Sequence, residues 1–334
     1  MQAFSRLSIL VIAVLALPCL VSAQEGSSRP SEGAVANAMQ APRDARENLN
    51  SLLANPNLLE AMQPAVILTE QGAGFTRQLV RVEWRTGDPI DLWVMRPTGV
   101  EKPPVILYLY SYPSETDRFR DDGYGQRVTR GGYAAVGFVS ALTGQRYHGV
   151  PMKEWFVSDL PQVLVESAHD VQMILNYLST RGDMDMDSVG IYGQGSGGTI
   201  AVLAAAVDSR IKALNLLDPW GDWRDWMAKS IRIPNEERPR YMQSQFLKQV
   251  APFDITRWLL KLKSPAIRVE EVTTDGITPA ICQKRIESAA QRASAQIVQY
   301  KNVEGMLVAA TNGRAFQWVK DQLRPPAQSQ LAAK

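Results

Sequence analysis

The apolar run Ser188-Val189-Gly190-Ile191-Tyr192 leads into Gly193-Gln194-Gly195-Ser196-Gly197-Gly198, after which Ile200, Leu203, Ala204 and Val207 recur at helical spacing. Glycines at this density between a strand and a helix let the backbone turn sharply and aim main-chain N–H groups from a helix N-terminus, where an oxygen anion binds. Ser196 carries the one hydroxyl among these six residues, and a nucleophilic serine needs a base to take its proton. The chain has two histidines. His169 sits in a helical pattern beside Asp170, the setting of a packing or surface imidazole, while His148 falls in the loop Gln145–Pro151 and could overhang a pocket. The two lie far apart in the chain, so no metal is expected. Ser196 is therefore expected to cap or pack at the helix start rather than to attack.

The elements that must position this turn read as follows. Leu79–Trp84 and Ile90–Met95 alternate with a period of two around Thr86-Gly87-Asp88-Pro89, which predicts an antiparallel hairpin. Continuous apolar runs at Val105–Tyr110, Tyr133–Val139, Ser188–Tyr192, Ile211–Leu217, Ala266–Val272 and Ala295–Tyr300 predict strands buried on both faces. Leu164, Ala168, Val171, Ile174 and Leu178 mark a helix between two of them, so the class is α/β with right-handed crossovers. Leu49, Leu52, Leu53, Leu58, Leu59 and Met62 predict helical segments interrupted at Pro56.

The hairpin, Pro104–Tyr108, Gly131–Ala134, Asp170–Leu178, Met184–Gly190 and the glycine-rich turn, in that order over residues 77 to 324, resemble the dienelactone-hydrolase-like, acetyl-esterase-like and peptidase-like α/β-hydrolases. The resemblance implies a mostly parallel twisted sheet with helices on both faces and a nucleophile elbow, G-x-S-x-G, in which Gly195 stands at the serine position. It also implies an acid on the loop after the strand ending near Val272, which places Asp275 there, and a histidine after the last strand, where Gly305 stands instead. Two of the three triad positions are empty. What the resemblance leaves is an oxyanion hole made of the N–H of Ser196 and one from the loop at Ser111-Tyr112, which need no lost side chain. The expectation is a binding protein for a small acyl, carboxylate or ester-like ligand, with an atypical ester or peptide hydrolase using Ser196, or water and Asp275, as the alternative.

A second alternative shares the same residues. Gly193-x-Gly195-x-x-Gly198 fits a dinucleotide fingerprint, with Asp218 at the end of the next strand. At least two core strands precede it, whereas such a fingerprint opens its domain, so no cofactor is expected. Between Asp218 and Leu260 a cap, residues 219–262, is expected over the strand ends. Its Trp220, Trp223 and Trp226 are read as packing the insertion onto the sheet, although Trp220 could line a ligand cleft and an exposed aromatic patch here would recruit a protein partner. Met227, Tyr241, Met242 and Phe246 are expected on the buried side of the cap. Arg224, Arg232 and Arg238 are read as solvated charge rather than anion readers.

The ends differ from this body. Arg6, the apolar run Leu7–Leu17 and Val21-Ser22-Ala23 read as a secretory signal, residues 1–23, cleaved after Ala23; the run is shorter than the roughly 20 residues a membrane span needs. Ala16-Leu17-Pro18 lacks the small residues a lipid-modified Cys19 would want. Residues 24–42 read as a flexible polar leader, 43–326 as the domain and 327–334 as a tail, and the location as secreted or periplasmic. Only Cys282 remains after cleavage, which permits no internal disulfide. A net charge of +2 without a basic block excludes a nucleic-acid partner at this level.

Overall fold

A computed structural model describes residues 47–54, 64–112, 115–142, 146, 152–262, 265–311 and 314–323. The signal, leader and tail expected from the sequence, and His148, lie outside the described residues. Nine strands form one sheet: β1 (Ala65–Gly72), β2 (Phe75–Val82), β3 (Ile90–Pro97), β4 (Pro104–Leu109), β5 (Ala134–Phe138), β6 (Asp185–Gln194), β7 (Ile211–Leu217), β8 (Ala266–Val272) and β9 (Gln296–Tyr300). Their spatial order is β1-β2-β3-β5-β4-β6-β7-β8-β9. The first three pair antiparallel, β3 runs antiparallel to β5, and β5 through β9 are parallel.

The apolar runs have a direct structural reason. In β4, Val105, Leu107 and Leu109 enter one core while Ile106 and Tyr108 enter the other, so no position is left for a solvent-facing residue. Helices α1 (Asp122–Thr129) and α8 (Arg314–Gln322) cover the aromatic face around Tyr108, Tyr124, Tyr192 and Phe316. The opposite face packs under α2 (Met152–Arg181), α3 (Ser196–Ala205) and α6 (Ala280–Arg292). The insertion between β7 and β8 contains α4 (Trp223–Lys229), α5 (Ser244–Val250) and the single turns Arg238–Tyr241 and Ile255–Trp258. Helix α7 (Val303–Thr311) follows β9.

Three elements depart from the sequence reading. Residues 47–54 form turns rather than a helix, because they are held by side chains of α2: Gln172 Oε1 accepts the Ala54 N–H at 3.0 Å and Gln172 Nε2 donates to Leu52 O at 2.8 Å. Strand β1 extends the hairpin to three strands, and its largely exposed surface explains why burial patterning did not announce it. Helix α1, which no sequence pattern announced, is capped by Asp121, whose Oδ1 accepts the Tyr124 N–H at 2.6 Å. Among the described residues no helix is long and apolar enough to cross a membrane.

Candidate functional site

The site is built at the carboxyl ends of the parallel strands, where β6 turns into α3. Gly195 stands between them with φ +55° and ψ −119°, a left-handed geometry that glycine adopts without a steric penalty. Its carbonyl oxygen starts the helix, accepting from Gly198 at 3.0 Å and Thr199 at 3.2 Å. The glycines around it serve close approach: a Cβ on Gly197 would overlap the Leu109 carbonyl, and one on Gly193 would lie 2.7 Å from Gly198 Cα. The helix is thus seated hard against β4 and β6, and the spacing of glycines is the spacing of backbone contacts.

The space where a side chain at 195 would stand is already walled. A Cβ there would lie 2.6 Å from Ser111 Oγ, 2.9 Å from Ser111 Cβ and 3.1 Å from Trp220 Nε1. Ser196 is the first helical residue, not the cap: its buried Oγ accepts the Tyr112 N–H at 3.1 Å, so that main-chain donor is turned onto the protein rather than outward. The Ser196 N–H belongs to the first turn of α3, whose donors have no intrahelical acceptor. Trp220 is clamped by its backbone, donating N–H to Gly195 O at 3.3 Å and accepting Thr199 Oγ1 at 2.7 Å.

The acid loop lies beside this turn. Asp275 Oδ1 accepts the Ile277 N–H at 3.1 Å, and burial holds its carboxyl above the ordinary range against the pull of the Ile277 and Thr278 amides and the Arg232 charge. At the histidine position, Gly305 lies exposed in α7, its N–H donated to Asn302 Oδ1 at 2.9 Å. His169 is buried in α2 with Nδ1 2.6 Å from Glu47 Oε1 and Nε2 2.8 Å from Ser51 O, so both ring nitrogens are engaged away from the elbow. Asp218, the residue a ribose would need, has its Oδ1 accepting the Val272 N–H at 2.9 Å, and Pro219 packs against Gly198 where a pyrophosphate would approach. Both contacts stand against the dinucleotide reading. Burial pushes the Asp218 carboxyl up to about 7.

A family model for X-Pro dipeptidyl-peptidase (S15 family) matches residues 86–256. The chain belongs to the S15 family. Those residues run from the β2–β3 turn through the elbow into the insertion. Among solved structures, this S15-family chain is similar to an acetyl xylan esterase from Paenibacillus sp. R4, with 15% identity and a TM-score of 0.56, over 79% of this chain and 91% of that one. A Pyrococcus horikoshii acylaminoacyl peptidase matches with 12% identity and a TM-score of 0.56, over 79% of this chain and 50% of that one. A glucuronoyl esterase from Solibacter usitatus matches with 14% identity and a TM-score of 0.52, over 79% and 88%. These likenesses establish the α/β-hydrolase fold. No curated protein matches the chain.

The cap side chains complete the surroundings of the elbow. Trp220, Trp223 and Trp226 are 2%, 2% and 0% exposed and stack on one another, with Trp220 and Trp226 centroids 4.8 Å apart, so they form no exposed patch for a protein partner. Met227, Tyr241 and Phe246 are buried with them. The three arginines separate: Arg224 is exposed, Arg238 is an internal clamp donating to Met227 O, Ser230 O and Asn235 Oδ1, and Arg232 reaches the elbow. Arg232 Nη2 donates to Tyr112 O at 3.0 Å, and its guanidinium lies 5.0 Å from the Tyr112 ring and 5.4 Å from the Trp220 ring. The solvated reading is therefore corrected for Arg238, while Arg232 stays exposed with one N–H spent on Tyr112 O. Sequence spacing offers no signal for this, because Ser111, Trp220 and Arg232 meet only through the crossovers.

Proposed function

We propose that this chain binds a small acyl, carboxylate or ester-like ligand above Gly195 and does not turn it over by serine-hydrolase chemistry. The observation that carries the reading is the filled nucleophile slot: Gly195 has no side chain, and Ser111 and Trp220 stand within contact of where one would be. Backbone donors at the start of α3 survive that loss, and they are what an acyl or carboxylate oxygen recognises. Among the described residues no histidine serves the elbow, since His169 has both nitrogens engaged and Gly305 stands at the implied histidine position. Export after cleavage at Ala23 belongs to the same proposal, resting on the apolar run Leu7–Leu17 and the small residues before Gln24.

One observation favours a second reading, an atypical hydrolase of esters or peptides: Ser111 places a hydroxyl almost where a nucleophile at 195 would carry it. Fluorophosphonate labelling of the purified chain, read by intact mass and peptide mapping, separates the two. No adduct on Ser111 or Ser196 is expected. A stoichiometric adduct on either would replace the binding reading with turnover.

A further inference from the structure

The surroundings of Gly195 are rich in donors that the protein does not use. Trp220 is almost wholly buried, yet its Nε1 has no acceptor among the described residues and lies 3.1 Å from where a Cβ of residue 195 would be. An indole N–H held in a buried stack finds a partner when the site is filled. Ser111 Oγ, 2.6 Å from the same point, also has no partner among the described residues. Arg232 spends one N–H on Tyr112 O, and among the described residues the rest of its fork has no acceptor. Asp275, whose carboxyl feels the Arg232 charge, is turned to the amides of its own loop.

A neutral ester would satisfy the indole and the hydroxyl and leave the guanidinium in water. A carboxylate satisfies all three. One oxygen accepts from the indole and the hydroxyl and the other takes a charge-assisted bond from the guanidinium, whose carbon lies over the Trp220 ring 5.4 Å from its centroid. Resting on the binding reading above, we infer that the ligand is a small organic carboxylate. One oxygen lies over Gly195 against Trp220 Nε1, Ser111 Oγ and the Ser196 N–H, and the other lies on Arg232, which is the residue that selects acid over ester.

The test is calorimetric titration of the full chain with butyrate, butyramide and methyl butyrate, in the wild type, Arg232→Gln and Trp220→Phe. Butyrate is expected to bind at least about tenfold tighter than either neutral analogue, Arg232→Gln to remove that preference while leaving methyl butyrate unchanged, and Trp220→Phe to weaken all three. Arg232 is exposed, so its replacement leaves the fold intact for the comparison. Equal affinities in the wild type, or a carboxylate preference that survives Arg232→Gln, overturn this inference and leave the binding reading standing. Failure of all three probes to bind the wild type overturns both.

Discussion

At Gly195, backbone geometry and space set the same demand. A φ of +55° strains any side chain, and a Cβ would meet Ser111 Oγ at 2.6 Å and Ser111 Cβ at 2.9 Å. Gly195→Ser should therefore destabilise the chain by about 1–3 kcal/mol rather than recreate an esterase. Adding Ser111→Gly should recover part of that loss, a coupling that urea denaturation of the single and double variants would measure. Glu271 makes a separate prediction. It is 1% exposed, neither carboxyl oxygen accepts a hydrogen bond among the described residues, and burial, followed by the hydrogen bond and charge of Glu287, pushes its carboxyl up to about 9. The folded state holds this proton while the unfolded chain releases it near the ordinary 4.5, so stability falls as pH rises from about 4.5 through about 9. Glu115, raised to about 8 by burial despite its bond to Ser140, adds the same sign over a slightly narrower window. Glu271→Gln should flatten the profile, with its advantage over the wild type growing toward pH 9; a parallel pair of denaturation curves would refute this. The glycine-rich turn around Gly195 was legible in the sequence because it is a run of neighbours along the chain. The hydroxyl of Ser111 filling the vacant slot was not, since it comes from another strand end.

Among the elements, the turns of residues 47–54 are fastened by buried charge. Arg85, beside the β2–β3 turn, binds Glu47 and Asp170, the latter at 2.6 Å; Arg146 binds Asp170 and Asp88; and Glu47 also meets His169. The hairpin turn, α2, residue 146 and residues 47–54 are thereby tied at one point. Burial drives the Glu47 carboxyl up, but the hydrogen bonds and charges of Arg85 and His169 outweigh it and bring it down to about 2. Its contribution is present above the ordinary 4.5 and lost as pH falls through about 2, opposite in sign to Glu271. Glu47→Ala leaves a buried guanidinium short of a partner and should cost about 3–5 kcal/mol, read as a lower urea midpoint at unchanged slope. Helix-period reading of Leu49 and Leu52 failed here because side chains of α2, far along the chain, satisfy the backbone that a helix would have satisfied itself. Strands β4 to β8 were legible for the opposite reason, since burial on both faces is written into consecutive residues.

For the whole molecule, the sheet order brings β4, β6, β7 and β8 side by side, so the loops after them converge on one mouth. If the proposed signal is removed, intact mass of the protein from its native host should show a chain beginning at Gln24, and retention of residues 1–23 would refute it. The sequence by itself determined the α/β class and the strand-turn-helix elbow with glycine at its centre, because each is a pattern of neighbours along the chain: period, apolar run and glycine spacing. Only the tertiary structure decided what stands around that vacancy. The hydroxyl of Ser111, the indole N–H of Trp220 and the guanidinium of Arg232 leave three separate segments, and the parallel crossovers and cap packing alone set them around Gly195.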